Sequence, residues 1–214
     1  MDADTLDLIV RSRNTILEIL ERRGYNVDSY KNMSPETLHK FATTNTELLK
    51  IQVTQRDNPE SMRSTVLYWV DGAIRLRLES ELNNLWSDEN PEHYDPAKDE
   101  IIVLLGEPFH EAFNLHAAKQ WNKRKARMSF FQLKNVVSNP ANHTFVPPHR
   151  KLSPEESSSV VESLHMKSKN EFPHIKYHVD MQARVHGLVP GDIVEIRRPS
   201  ETAGEYILYR VCTI

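Results

Sequence analysis

Val189-Pro190-Gly191-Asp192-Ile193-Val194-Glu195-Ile196-Arg197-Arg198-Pro199-Ser200-Glu201-Thr202-Ala203-Gly204-Glu205-Tyr206, followed by Tyr209-Arg210-Val211, carries the pattern of a β-hairpin. Pro190 and Gly191 suit the two central positions of a type II turn, where the first must hold φ near −60° and the second must take positive φ. Ile193 to Arg198 and Tyr206 to Val211 read as strands, and Pro199 to Gly204 as the loop that joins them. Taken alone, such a Ser/Thr/Gly loop is a solvated turn whose hydroxyls bond nearby backbone.

N-terminal to the hairpin, Ser153-Pro154-Glu155-Glu156 forms a capping box that starts a helix with Val160, Val161 and Leu164 facing inward. Asn139-Pro140-Ala141-Asn142 has linker composition and suggests two domains, 1–141 and 142–214. The second contains nine Lys/Arg and nine Asp/Glu in 73 residues, with one cysteine and no metal-ligand pattern. A core of that size is marginal by itself. Docking onto a larger partner remedies this, so a subunit is expected rather than a free protein.

The longer N-terminal part mixes periodicities. Leu6, Ile9, Val10, Ile16, Leu17 and Leu20 form a helical stripe ending at Arg22-Arg23-Gly24. Ser34 and Pro35 mark the start of a second helix. Leu48 to Val53 and Ser64 to Val70 are expected strands, and Ile74, Leu78, Leu82 and Leu85 return to helical spacing. Ser87 to Asp99 is an acidic loop with two prolines, and Ile101 to Leu105 is a strand covered on both faces. Pro108 is expected to open a helix with Phe109, Ala112, Phe113, Ala117 and Trp121 on one face. The fold class is therefore α+β: an N-terminal mixed sheet flanked by helices, and a small C-terminal α+β domain ending in a β-hairpin.

Bulk properties exclude several function classes. No apolar run approaches the roughly 18 residues of a membrane span, and the acidic Met1-Asp2-Ala3-Asp4 opening is not that of a signal peptide. A formal net charge of −3 argues against an autonomous, tight nucleic-acid binder, whose affinity rests on phosphate neutralisation. With Cys212 alone, no internal disulfide forms and a reducing compartment is expected. His110 and His116 are wrongly spaced to share a metal on one helix face, so neither a metal, a cofactor nor a small-molecule ligand is expected.

The hairpin segment resembles the C-terminal signature of the fifth-subunit family of eukaryotic-type multisubunit RNA polymerases, a family that also has archaeal members. The Gly191-Asp192 turn, basic strand, Ser200 to Gly204 loop and closing Tyr206-x-x-Tyr209-Arg210 carry the likeness. Val146-Pro147-Pro148-His149, Leu152 to Glu156 and Phe172-Pro173-His174-Ile175 follow in the family's order, with Asn139 and His143 at family positions. Arg23-Gly24-Tyr25 resembles a motif of eukaryotic members. Asp180-Met181 replaces the usual Asp-Pro, and Val189-Pro190-Gly191 replaces Lys-Arg-Gly. The N-terminal domain, absent from archaeal members, points to the eukaryotic form or to copies encoded by large DNA viruses.

The resemblance implies a non-catalytic subunit in the nucleus, or in a virion or cytoplasmic viral factory if virus-encoded. Its C-terminal domain would pack on the polymerase's largest subunit, alongside the rest of the core, through Pro147, His149, Arg197, Arg198, Ser200, Glu201, Thr202, Ala203, Gly204, Tyr206, Tyr209 and Arg210. The N-terminal domain, with a nuclease-like fold, would form part of the lower jaw beside downstream duplex DNA. Pro108 is the family's DNA-facing position, here preceded by Glu107 instead of Thr. Lys119, Lys123, Arg124, Lys125 and Arg127 form a basic cluster that suits either phosphate contact or a solvated helix end. Two other functions compete: a Mg-dependent nuclease using Asp95, Asp99 and Glu100 beside Lys98, and a free-standing transcription adaptor.

Overall fold

The computed structural model describes residues 3–87, 89–92, 94–200, 202 and 204–214. It is α+β, with two mixed sheets distributed over two compact units, Met1–Asn139 and Pro140–Ile214.

The first unit opens with α1 (Ala3–Arg22), whose apolar stripe buries Ile9, Ile16, Ile19 and Leu20. Arg13 is buried with them and donates from Nη1 to the Leu49 carbonyl at 2.9 Å, so its charge is solvated by backbone. Helix α2 (Pro35–Thr44) is capped by Ser34, which accepts from the Thr37 N–H, with Pro35 in the first turn as expected. Strands β1 (Ile51–Thr54), β2 (Arg63–Trp69), β3 (Asp99–Leu105) and β4 (Arg127–Gln132) lie side by side in chain order. The first pair is antiparallel and the other two are parallel. Parallel neighbours need crossovers, and these contain α3 (Leu78–Leu85) and α4 (Glu111–Arg124). Every residue of β3 is buried, because it is paired along both edges and covered on both faces. On one face Phe113 from α4 meets Phe130 from β4 at 5.3 Å between ring centroids.

Four sequence expectations need correction here. Strand β1 starts at Ile51, not Leu48, because Asn45 caps a short helical turn over Thr46–Leu49 by accepting the Glu47 N–H. Strand β3 starts at Asp99, not Ile101, so Asp99 is a buried strand residue instead of the end of the acidic loop. Pro108 precedes the helix without opening it: His110 is the cap, its Nδ1 accepting from the Ala112 N–H. Strand β4 was not anticipated at all. It follows Lys125, which takes the left-handed conformation (φ 57°) that ends a helix and usually signals itself as glycine.

In the second unit the strand order is β5-β7-β8-β6, comprising β5 (His149–Lys151), β6 (His174–Lys176), β7 (Ile193–Ser200) and β8 (Gly204–Thr213). The expected capping box is present: Ser153 and Glu156 satisfy each other's backbone N–H groups at the start of α5 (Pro154–Ser163). Leu152, Phe172, Ile193 and Val211 form a buried cluster beneath Val160 and Val161 of α5. Leu164, expected to face inward, is half exposed just past the helix end. A five-residue helix α6 (Met181–Val185) serves the opposite face. His186, just beyond it, stacks on His149, whose register partner is Ile196. Strands β5 and β6 and helix α6 were not legible, since three to five residues cannot show a period.

Candidate functional site

The expected type II turn forms as written: Asp192 N–H donates to the Val189 carbonyl at 3.0 Å, and Gly191 has φ 98°. Beyond it the ribbon is longer than expected. Pro199 and Ser200 extend β7, while Gly204 and Glu205 extend β8, so the connection shrinks to residues 201–203. Glu201 and Ala203 lie outside the described residues; Thr202 is exposed, its hydroxyl 3.4 Å from that of Ser200.

The short flanking strands leave most of this ribbon uncovered. β5 pairs with Val194–Ile196 only, and β6 with Val211–Thr213 only. The segment from Arg198 through Arg210 therefore stands as a two-stranded projection whose tip is exposed, including Tyr206 and Ile207. Exposed strand edges are sites of backbone pairing with another chain.

Alternation along the strands sorts the side chains onto two faces. One carries Glu195, Arg197, Pro199, Glu205, Ile207 and Tyr209. Its charges neutralise one another. Arg197 Nε donates to Glu195 at 3.0 Å and its guanidinium approaches Glu205 at 4.0 Å, while Arg150 donates to Glu195 at 3.2 Å. These arginines hold the Glu195 carboxyl below the usual carboxylate range against the upward push of burial.

The other face carries Arg198, Tyr206, Arg210 and, on β5 beside Ile196, His149. None of the ribbon residues that share this face is acidic. Arg210 is held by a 2.7 Å bond to the His174 carbonyl, while Arg198 and Tyr206 are exposed. His149 Nδ1 donates to the Pro147 carbonyl at 2.6 Å. Burial shifts its pKa down, against the Pro147 bond and the nearby Asp180 charge, and the charges of Arg198 and Arg210 add to the downward shift.

Thus the residues selected from sequence fall into two sets. His149, Arg198, Tyr206 and Arg210 share one face, with Pro147 orienting the histidine; Arg197 and Tyr209 lie on the other. Sequence inspection missed Arg150, Glu195, Glu205, Ile207 and His186. Strict alternation in register, once the pairing is known, is the signal that collects all but His186.

The basic end of α4 is partly committed to its own unit. Lys119 is ion-paired to Glu79, and Lys125 lies over the Trp121 ring at 5.5 Å. Lys123 and Arg124 stand in the last turn, where cations offset the helix dipole. Pro108 is exposed, and Glu107 turns its carboxylate to the Arg75 N–H at 2.9 Å.

Of the carboxylates proposed for a nuclease, Asp95 is partly exposed and accepts from the Ala97 N–H at 2.9 Å, whereas Asp99 and Glu100 are committed, not solvated. Arg63 clamps Asp99 through Nε at 2.8 Å and Nη2 at 2.7 Å, and the Asp95 N–H donates to the same carboxylate. Glu100 accepts from Arg23 at 2.8 Å and from the Tyr25 hydroxyl at 2.9 Å. Each is already neutralised by an arginine. Among the described residues, no group of three or more His, Cys, Asp and Glu side chains is disposed to hold a metal ion. Among those residues, too, no helix is long and apolar enough to cross a membrane. Buried Cys212, its thiol pushed up to about 12 chiefly by burial, has no nucleophilic character at neutral pH.

Residues 138–212, which contain all but the last residue of the β5-β7-β8-β6 sheet, match the family RNA polymerase Rpb5, C-terminal domain. Over 69 residues the chain is 44% identical to DNA-directed RNA polymerase subunit Rpo5 of Pyrococcus abyssi, covering 82% of that protein and 32% of this one. The chain belongs to the fifth-subunit, or Rpb5, family of DNA-directed RNA polymerase. Similarity to an Rpb5-family member of Dictyostelium discoideum, DNA-directed RNA polymerases I, II, and III subunit rpabc1, extends along 98% of this chain and 99% of the relative at 24% identity. The Caenorhabditis elegans subunit RPABC1 is 36% identical over 87 residues, 41% of this chain and 40% of that one. The Pyrococcus and Caenorhabditis alignments each cover less than half of the chain, while the Dictyostelium alignment runs through both units.

Proposed function

We propose that this chain is a structural subunit of a DNA-directed RNA polymerase, with no bond-making chemistry of its own. Its C-terminal unit docks on the largest subunit through the β7–β8 ribbon. The N-terminal unit forms part of the lower jaw near downstream duplex DNA, with Pro108, Lys123 and Arg124 toward the nucleic acid. The nucleus is the expected location for a cellular copy, and a virion or viral factory for a viral one.

The observation that carries this reading is the bare ribbon. A two-stranded projection with exposed Arg198, Tyr206 and Ile207 presents an open strand edge and interface-type side chains to a partner. Arginine and tyrosine are the residue types that dominate interface energetics when desolvated.

Affinity-tagged full-length chain should co-purify with the two largest polymerase subunits in stoichiometric amount. Replacing Arg198→Glu together with Tyr206→Ala should reduce that recovery by at least about tenfold, with the far-UV spectrum unchanged. Recovery of the chain as an isolated monomer would instead favour the adaptor, and unaltered recovery of the double variant would move the interface elsewhere.

A further inference from the structure

The two edges of the ribbon are not equivalent. In β7, Leu152 N–H donates to the Ile193 carbonyl and Arg197 N–H to the Pro148 carbonyl, so the odd-numbered residues direct their backbone groups outward, toward β5. Residue 199 continues that series past the end of β5, and it is proline. Its register partner, Glu205, is a pair without mutual hydrogen bonds, so Pro199 costs the ribbon nothing internally. It does remove the N–H that an added strand would need on that side.

On β8 the pattern differs. Val211 N–H donates outward to the Pro173 carbonyl, and Cys212 N–H donates inward to the Asp192 carbonyl. By alternation, Glu205, Ile207 and Tyr209 direct both N–H and C=O outward. β6 reaches only His174–Lys176, opposite Val211–Thr213, and leaves these three residues unpaired along the edge. No proline interrupts them.

We infer that the outer edge of β8 at Glu205, Ile207 and Tyr209 receives an extended, acidic segment of a partner polypeptide as an added strand, while the β7 edge is closed by Pro199. This deepens the docking proposal above and rests on it. Alternating donors and acceptors match peptide backbone; a phosphate chain offers acceptors only and would leave the three carbonyls unpaired. The acidic character follows from charge. The face bearing Arg198 and Arg210 has no carboxylate within the ribbon, whereas the opposite face is already neutralised by the Glu195–Arg197–Glu205 set.

Amide hydrogen exchange on the full-length chain, free and within the purified polymerase, tests this. In the free chain, the amides of Ile207 and Tyr209 should exchange fast while those of Tyr206, Leu208 and Arg210 are protected. In the assembly, the fast set should slow by at least about tenfold. Fast exchange persisting in the assembly overturns the inference. So does protection that grows with concentration of the free chain, which would show a second copy on the edge, or protection by duplex DNA alone. Ile207→Pro, which removes one outward N–H, should lower co-purification, whereas Ile207→Val should not. If Ile207→Pro assembles normally but Arg198→Glu with Tyr206→Ala does not, the ribbon docks by side chains and only the edge inference falls. If both assemble normally, the docking reading falls with it.

Discussion

Glu100 on β3 and Arg23, just past the end of α1, are an ion pair at 2.8 Å with side chains only 6% and 4% exposed. The second Glu100 oxygen accepts from the Tyr25 hydroxyl, whose pKa burial and this carboxylate both raise. The pair ties the C-terminal end of α1 to the entry of the buried central strand.

Glu100→Ala should therefore destabilise the N-terminal unit by about 3–5 kcal/mol, because it leaves the Arg23 guanidinium buried without its counter-ion. Solvent-exposed pairs contribute far less, so Glu79→Ala, which breaks the surface pair with Lys119, should leave the urea midpoint close to that of the parent. Urea midpoints of the two variants against the parent check the contrast. Equal effects would show that Glu100 is not an internal strut.

Acid should weaken the C-terminal unit before ordinary carboxylate titration begins. His178 is buried and its pKa lies well below the usual 6.5, first through burial and then through the charge of Arg184. Above about pH 6.5 both folded and unfolded chains carry it neutral. As pH falls below that value, the unfolded chain takes up a proton that the folded unit refuses, so stability declines, by at most about 1.4 kcal/mol per pH unit for one such group. His149, also lowered by burial, acts in the same sense. Urea midpoints at pH 7.5 and 5.5 should differ, and His178→Asn, which tolerates the φ of 60° at this site, should reduce the difference. An unchanged pH slope in His178→Asn would assign the acid sensitivity to other groups.

Gly191→Ala separates space from backbone strain. An added Cβ would lie 3.2 Å from Lys169 Nζ, the far end of a long side chain that donates to the Gly191 carbonyl at 2.8 Å, so relieving the contact costs at most that exposed hydrogen bond. The φ of 98° is not relieved in this way. The expected cost is about 1–2 kcal/mol, set by the backbone, and Lys169→Ala in the same chain should not recover it. Recovery would make the clash the cause.

Much of the local structure was legible because its causes are local. Ser34-Pro35 and Ser153-Pro154-Glu155-Glu156 carry their capping partners within four residues, and Pro190-Gly191 specifies its turn by φ preference alone. The unbroken run Ile101 to Leu105 announces a strand covered on both faces. Strand β4 is hidden because Lys125, rather than glycine, takes the left-handed residue before it. Asp99 read as a loop residue, and Glu100 fell short of the strand, because acidic side chains beside prolines are usually solvated; their arginine partners stand 36 and 77 positions away.

By itself, then, the sequence determined the family, the α+β class and the existence of the terminal ribbon, since caps, turns and hydrophobic periods act over a few residues. Only the tertiary structure decided which ribbon residues share a face, that Pro199 closes one edge while Glu205, Ile207 and Tyr209 leave the other open, and that the acidic pair of β3 is structural. Those outcomes depend on strand register and on charges brought together from distant parts of the chain, neither of which local spacing can encode.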